Sequence, residues 1–425
     1  MSSILTNNSA MVALQTLKSI NANMGKTQSE ISTGKSVANA RDNSAVWSIS
    51  KTMESDVKGF RGIADSLALG SSTVAVARSA AERITDLLTD IKGKIVAAQE
   101  ENVDREKIQT DLSALRNQIN TIVGAAQFNG LNLLSNREGG ATVAQVVGNT
   151  GAGAGIKGSG TVNVLSSLDR TSGGTVGASS IAASKADLGT QASVIGVGTD
   201  LAATAFTGAG AIAVGATGTM TVVGDTGTAA RAGNAVLAGD SYTIGGLTGV
   251  TGAVRYVARD GDTLADIAQG LGTMLNFKAA QDGIAITATV SGNALTITNG
   301  TAAGITTTAT LNTGARAGGG LEVLASVDVS TENGAKAALS AIEGLTQTAI
   351  RAAADFGSVQ GRIDIQSDYV GSLMDSLKSG IGALVDANME ETSARLQALQ
   401  VQQQLGIQAL SIANQAPQNI LALFR

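Results

Sequence analysis

The residues best suited to chemistry are few in this 425-residue chain, because histidine and cysteine are both absent. Their absence excludes Ser-His-Asp triads, Cys-His dyads, cysteine-ligated metals, disulfides and the histidine motifs of metalloproteases. Residues 33–36 read Thr-Gly-Lys-Ser, like the end of a phosphate-binding loop, but the glycine required five positions before Gly34 is Ser29. We interpret this segment as a helix end followed by a polar loop.

A short acidic cluster is the other feature that could hold a ligand. Asp260, Asp262 and Asp266 could bind Ca²⁺, but their spacing is not that of an EF-hand loop. A solvated turn with a helix N-cap is the favoured interpretation. With no convergent carboxylate pair evident elsewhere, we predict that the chain is not an enzyme, has no catalytic residue, and binds neither a metal nor a cofactor.

The same region resembles the opening of a LysM glycan-binding module over Tyr256–Ala268. The second half of such a module is not evident, because two alternating apolar-polar stretches follow instead. A strand, a turn and a helix, with Leu264 and Ile267 facing a core, is the preferred interpretation. A secreted glycan-binding adhesin that uses residues 241–300 remains an alternative function.

Charge and hydropathy limit the partners of the chain. The formal net charge is −5, so bulk attraction to nucleic acid is not expected. No run of 18 apolar residues occurs, so no membrane-spanning helix is predicted. Residues 1–10 contain no basic residue, and we therefore expect no cleaved secretion signal.

Helical periodicity dominates the two ends of the chain. An apolar stripe in the first helix consists of Met11, Leu14, Leu17, Met24 and Ile31. Asn8 or Ser9 could cap this helix, and Gly34 could end it. A second, very long helix is predicted from about Ser44 to Glu100, and a third from Asp104 to Gln127.

The C-terminal end continues this pattern. A helix is predicted after Thr331, and the last segment has a heptad register. Its first set is Met389, Leu396, Gln403 and Leu410, and its second set is Thr392, Leu399, Gly406, Ala413 and Ile420. A stripe of this kind cannot be buried by its own helix, so it requires a partner helix.

The middle of the chain has a different composition. Glutamate does not occur from Gly139 to Gly320, where Gly, Ala, Thr and Val are abundant. Residues 284–290 and 294–298 alternate with period two around a Ser-Gly-Asn turn, which predicts a hairpin. Strands are also predicted at 241–244 and 253–257, with a helix at 263–275. The fold class is therefore α+β multidomain: long terminal helices pair as a coiled coil or helical bundle, with a β-rich domain inserted between them.

Motifs at both ends resemble those of bacterial flagellins, and of α-proteobacterial members in particular. They comprise residues 4–14, Ile-Leu-Thr-Asn-Asn-Ser-Ala-Met-Val-Ala-Leu; 31–34 with 40–45; Gln-Phe-Asn-Gly at 127–130; and the closing residues 413–425, which end in Phe-Arg. The match covers about 1–138 and 328–425. It implies a structural subunit that polymerises helically into the flagellar filament for motility.

The resemblance also implies an organisation and a set of partners. Residues 1–43 with 382–425 would form the inner tube of the filament, 44–139 with 328–381 an outer helical tube with a small hairpin, and 140–327 a surface-exposed variable domain. Partners would be further copies of the chain, the flagellar export apparatus and an export chaperone, cap and junction proteins, and other flagellins, with no nucleic acid or membrane. The subunit would be extracellular and exported without signal cleavage. A hook–filament junction protein is a second alternative.

The predicted assembly interface is the pair of terminal apolar stripes. It consists of Leu14, Leu17, Met24, Ile31, Leu396, Leu399, Leu410 and Ile420. Head-to-tail contacts that do not close into a ring generate filaments, which suits such stripes.

Overall fold

A computed structural model describes residues 7–135, 161–170, 176–196, 206–208, 210–224, 236, 239–259 and 262–423, without the side chains of 169, 170, 176 and 416–423. By contacts between residues, the chain divides into two units. One unit contains residues 1–65, 167–177 and 367–425, and the other contains 66–166 and 178–366.

The N-terminal third is helical, as predicted. Its elements are α1 (Asn8–Thr33), α2 (Ser44–Ala97), α3 (Arg105–Ala125) and the hairpin strands β1 (Gln127–Phe128) and β2 (Leu131–Asn132). Asn7 rather than Asn8 or Ser9 caps α1, and its side-chain oxygen accepts from the Ala10 N–H at 3.1 Å. Gly34 ends α1 with a positive φ of 68°, a conformation that glycine adopts without a steric penalty. Asp104 caps α3 as expected.

The C-terminal helices are also present. They are α5 (Glu322–Ser326), α6 (Glu332–Val385) and α7 (Met389–Leu423). Helix α2 is joined to α6 by hydrogen bonds from Ser71 to Asp364 at 3.2 Å and from Arg78 to Gln360 at 2.9 Å. Among the described residues, no helix is long and apolar enough to cross a membrane.

The middle of the chain is β-rich, in agreement with its composition. Its elements are β3 (Thr161–Arg170), β4 (Val176–Ser184), β5 (Phe206–Thr207), β6 (Ala211–Ile212), β7 (Thr217–Val222), β8 (Ser241–Gly245), β9 (Val254–Val257), α4 (Leu264–Gln281), β10 (Ile286–Ser291), β11 (Ala294–Asn299), β12 (Ile305–Thr306) and β13 (Thr308–Asn312). The larger sheets have the strand orders β10-β11-β7-β5 and β13-β8-β9. The predicted β10–β11 hairpin is confirmed, whereas α4 extends to Gln281, beyond the predicted end at 275.

Helix α4 covers the inner faces of these sheets, and together they form what we call the β/α4 core. Ile267 is fully buried and Leu264 packs at the edge, as their spacing predicts. Other buried members include Val222, Tyr242, Ile244, Leu271, Leu275, Leu295 and Ile297. Because successive side chains of a strand point to opposite faces of the sheet, the apolar ones pack against α4 and the intervening ones point away from it.

Three adjacent strands carry rows of uncharged hydroxyl side chains on the side of the sheet that points away from α4. One row pairs Thr287, Thr298 and Thr217 across β10, β11 and β7, and the next pairs Thr289, Thr296 and Thr219. The hydroxyls of Thr219 and Thr296 lie 3.3 Å apart, within hydrogen-bonding distance. Ser291, Ala294 and Thr221 complete the face, which we call the threonine face.

Two glycines of α2 lie where the strand β3 crosses the helix closely. A Cβ atom on Gly59 would be 2.8 Å from Leu168, and one on Gly70 would be 2.5 Å from Val164. Glycine in a helix interior costs about 1 kcal/mol relative to alanine. At these positions the close packing of β3 explains why the chain carries that cost.

A matched pair of substitutions tests this explanation. Gly93 lies in the same helix, and a Cβ atom added there would meet nothing within 4 Å, so Gly93→Ala should raise the free energy of unfolding by about 1 kcal/mol. Gly70→Ala should instead lower it by about 1–3 kcal/mol, because Val164 is β-branched and cannot yield easily. Thermal unfolding followed by circular dichroism measures both changes. Equal stabilisation by the two substitutions would contradict the proposed role of Gly70.

Candidate assembly surface on the terminal helices

Helices α1 and α7 pair along a heptad seam. In α7 the described positions of both heptad sets are buried or half-buried, apart from Met389 at the helix start, and the neighbouring positions are exposed. In α1 the covered positions recur at alternating intervals of three and four residues. They are Ala10, Ala13, Leu17, Ile20, Met24, Thr27 and Ile31, and Glu30 beside the last of them is half-buried as well. The partner required by the heptad pattern is therefore the other terminal helix of the same chain.

Polar contacts fix the register of this seam. The Asn7 side-chain amide donates to the carbonyl of Ala413 at 2.7 Å. Further along, the Gln403 amide donates to the Asn21 side-chain oxygen at 2.7 Å. Gly406 allows close approach, since a Cβ there would lie 3.3 Å from Leu17. These contacts hold α1 and α7 antiparallel with their chain ends together.

Backbone bonds close the opposite end of the pair. The Ser36 N–H donates to the Val385 carbonyl at 2.7 Å, and the Ala387 N–H donates to the Gly34 carbonyl at 3.0 Å. The Lys-Ser pair of the phosphate-loop-like segment thus lies in a connection between helices. That arrangement agrees with the interpretation of 33–36 as a helix end and polar loop.

The eight predicted interface residues fall into three groups. Six line the seam within one chain: Leu17, Met24, Ile31, Leu396, Leu399 and Leu410. Leu14 does not, because its side chain is 57% exposed on the outward side of α1. Ile420 lies in α7, but its side chain is outside those described. The role of all eight in contacts between copies stays a prediction.

A second apolar stripe lies on α7, on the side opposite the seam. It contains Val401, Leu405 and Ile412, and the last two are 58% and 69% exposed. Ile407 is exposed beside it, and Met11, Val12 and Leu14 are the exposed large apolar residues of α1. We call these seven residues the outward face. The heptad positions of α7 already pack against α1 in the seam. The second stripe therefore has no packing partner among the described residues.

A shallow groove beside the outward face is lined by small side chains. Its volume is about 570 Å³, and its lining includes Ala13, Gly406, Ala409 and Ala413. Val12 and Thr16 also line it. Small residues leave room for the larger side chains of a helix from another molecule.

Charge is absent from this surface. The chain contains no charged residue at positions 1–17 or 396–424. Glutamine supplies the polar positions between the apolar ones, and it is a good helix former. Identical helices can therefore approach one another here without like-charge repulsion.

Sequence reasoning located the terminal helices but did not identify the outward face. A signal was present: Val401, Leu405 and Ile412 are large apolar residues outside the heptad register that was assigned. Such residues are in excess of what one seam requires. In the single chain these residues stay exposed.

The acidic cluster of the middle region is used for structure. Asp262 accepts hydrogen bonds from the Tyr256 hydroxyl and the Arg259 N–H, both at 2.8 Å. Asp266 forms a capping box with Thr263 at the start of α4. Asp260 lies outside the described residues. No group of three or more acidic residues within the described segments is arranged to hold a metal ion.

Burial of Asp262 has a consequence for stability. Desolvation raises the pKa of the Asp262 carboxyl above its ordinary value, although the Arg259 and Tyr256 donors act in the opposite direction. A raised folded-state pKa contributes stability below the ordinary value, and this is lost as pH rises through the raised value.

Asp262→Asn should therefore remove one pH-dependent contribution while keeping an oxygen that accepts both bonds. We expect the variant to gain stability relative to the parent on going from acidic to neutral pH. Thermal unfolding of both proteins at a series of pH values from acidic to neutral measures the difference. A constant difference across this range would show that Asp262 does not titrate as described.

The LysM-like opening does not continue as a LysM module. After β9 and α4 comes the β10–β11 hairpin, and α4 packs on both β9 and β10. The strand and the helix of the strand-turn-helix unit favoured from the sequence are therefore present, and the residues 260–261 between them lie outside those described.

Family comparisons agree with the helical ends. The family model of the bacterial flagellin N-terminal helical region matches residues 4–138, and that of the C-terminal helical region matches 339–424. The chain belongs to the bacterial flagellin family. Flagellin A and flagellin B of Rhizobium meliloti are each 36% identical to it, with full coverage of both chains. Flagellin FljM of Caulobacter vibrioides is 27% identical over 100% of this chain and 99% of that protein.

Solved structures give weaker likenesses. The hook-associated protein-3 of Legionella pneumophila has a TM-score of 0.36 at 11% identity, covering 79% of this chain and 98% of that one. FliC of Burkholderia pseudomallei has a TM-score of 0.30 at 15% identity, covering 69% and 99%. The family assignment rests on sequence: this flagellin is a structural subunit of the extracellular flagellar filament.

Proposed function

We propose that the seam and the outward face divide the work of filament formation. The seam joins α1 to α7 within each subunit, and the outward face binds neighbouring copies. The observation that carries this proposal is the second apolar stripe of α7, with Leu405 and Ile412 exposed in the single chain. Burying such side chains against another copy removes apolar area from water, at roughly 25 cal/mol per Å².

The groove supplies the complementary half of the contact. Side chains such as Leu14 or Leu405 of one copy would fill the space above Gly406 and Ala409 of another. Because the stripe and the groove are different parts of the surface, the contact is head-to-tail. A head-to-tail contact extends into a filament when the rotation between successive copies does not close a ring.

The proposed organisation follows from the same division. Residues 1–43 with 382–425 would form the inner tube, 44–139 with 328–381 the outer helical tube, and 140–327 the variable outer domain. The outer helices also expose apolar residues that neighbouring copies could cover: Ile49, Leu69 and Val96 in α2, and Ile350, Ile365 and Tyr369 in α6. The role is structural and uses no catalytic residue or cofactor.

Export and capping are the remaining parts of the proposal. By family membership we expect export through the flagellar apparatus with a chaperone, without cleavage of a signal, followed by contacts with cap and junction proteins and with other flagellins. Mass spectrometry of subunits sheared from filaments tests the absence of cleavage. An N-terminally shortened subunit would contradict it.

Polymerisation of the purified chain tests the assembly proposal. After salting out, electron microscopy should show helical filaments. Hydrogen exchange at 389–415 should be slower in filaments than in monomers, because neighbouring copies cover α7. A chain that remains monomeric at every concentration, or whose α7 exchanges equally fast in filaments, would overturn the proposal.

A further inference from the structure

The β/α4 core is connected to the rest of the chain by two paired segments. Three backbone bonds join residues 187–191 to 319–321, from Gly319 to Gln191 at 2.9 Å, from Gly320 to Asp187 at 2.8 Å and from Leu321 to Gly189 at 3.0 Å. On the helical side, Ala186 and Leu188 donate to the carbonyls of Leu133 and Leu134, close to the end of α3, at 2.9 and 3.1 Å. We call this arrangement the connecting ladder.

The ladder is built from glycine because its two strands approach closely. A Cβ on Gly319 would overlap the Gly189 carbonyl oxygen, and one on Gly320 would overlap that of Asp187. A Cβ on Gly318 would lie 2.8 Å from the Gln191 carbonyl oxygen. Three consecutive glycines also give the backbone great freedom when it is not held. A core carried on such a segment needs a side chain to fix it.

Arg259 is the side chain that reaches the ladder from the core. Its Nη2 donates to the Gly319 carbonyl at 3.0 Å, and its Nε lies 3.5 Å from the Gly318 carbonyl. Its guanidinium lies 5.5 Å from the centre of the Tyr256 ring and donates through Nη1 to the Tyr256 hydroxyl at 3.2 Å. One planar cation thus joins Tyr256 of strand β9 to the carbonyls of Gly318 and Gly319.

Tyr256 and Asp262 hold the arginine in place. Asp262 accepts from the Tyr256 hydroxyl and from the Arg259 N–H, both at 2.8 Å, so one carboxylate is bonded to both residues. Gly270 of α4 packs against the Tyr256 ring so closely that a Cβ there would overlap the ring carbons. The aromatic ring is therefore confined on its helix side.

We propose that Arg259 is a latch that fastens the β/α4 core to the glycine-rich connecting ladder and fixes the orientation of the core relative to α3. Without it, the two segments keep their backbone bonds, including the two that Val194 and Arg316 exchange, and the bonds from Ser193 to the Glu322 carboxylate. They lose the only charged side chain that donates to the Gly318 and Gly319 carbonyls among the described contacts. The core then swings on the flexible glycine segment.

Spin labels on a cysteine-free chain provide a direct test. Because the parent has no cysteine, Thr110→Cys on α3 and Thr289→Cys on β10 place two labels at exposed sites. The distance distribution between them should be narrow in the parent and broad in Arg259→Ala. Amide exchange at Gly319, Gly320 and Leu321 should accelerate by on the order of tenfold, since a charge-assisted hydrogen bond is lost.

Two further variants keep the test decisive. Arg255→Ala removes an arginine from the neighbouring strand β9 and should leave both measurements unchanged. Arg259→Lys keeps the charge but not the planar fork, and should broaden the distribution in part. If Arg259→Ala does not fold by circular dichroism, Arg259→Lys decides. An unchanged distribution and unchanged exchange in the folded Arg259 variants would overturn the proposal, as would an equal effect of Arg255→Ala.

Discussion

Leu405→Asp is expected to abolish polymerisation of this flagellin while its β/α4 core stays folded. In the single chain Leu405 is 58% exposed, so a carboxylate there costs little. In a filament the same carboxylate would be buried without a partner, which costs several kcal/mol for each copy. Sedimentation and electron microscopy after salting out measure the loss of filaments, and circular dichroism measures the fold of the monomer.

Two variants serve as controls for this result. Leu405→Met conserves volume and apolarity and should still polymerise. Leu399→Asp places the charge in the seam, where the leucine is 8% exposed, and should disrupt both the α1–α7 pair and polymerisation. Helical content therefore separates the two aspartate variants. Normal filaments from Leu405→Asp would show that the outward face does not bind neighbouring copies.

Deleting residues 413–425 is expected to have a comparably large effect. The deletion removes Ala413, whose carbonyl accepts from Asn7, and shortens both the seam and the groove. The remaining chain should stay soluble and keep its β/α4 core, because that core is formed by residues 206–311. It should not form filaments.

Ultracentrifugation and two-stage thermal unfolding test this expectation. The transition of the core should keep its midpoint, and no polymer should sediment. Filament formation at the parent's rate would exclude an essential role for the last turns of α7. Loss of the core transition would show that the terminal helices stabilise the core.

The sequence predicted the seam well because a heptad repeat specifies a partner face directly. Leu399, Leu410 and the other described heptad positions after Met389 are covered by α1, as that repeat requires. Leu14 was assigned to the stripe because spacings of three and seven residues from Met11 to Ile31 allow two nearby faces. The covered face runs through Ala13 and Ile20 instead, and small residues such as Ala13 give a weak hydropathy signal.

The middle region was predictable only where turn chemistry and alternation coincide. The β10–β11 hairpin has both, with Gly292 at a positive φ of 59°. Strands β3 and β4 lie in a stretch of low complexity that carries no such signal. The contact of Arg259 with Gly319 spans 60 residues and ends on a backbone carbonyl. No pattern of side chains in the sequence predicts a hydrogen bond to a distant backbone carbonyl, so this contact could not be found from the sequence.

The threonine face has a consequence for the protein in solutions of different salt concentration. Its nine positions across β7, β10 and β11 carry hydroxyls and methyl groups but no ionised group. Dissolved salt acts on proteins in part by screening fixed charges, and the nine positions of this face carry none. The electrostatic properties of this side of the sheet should therefore be the same at low and at high salt concentration.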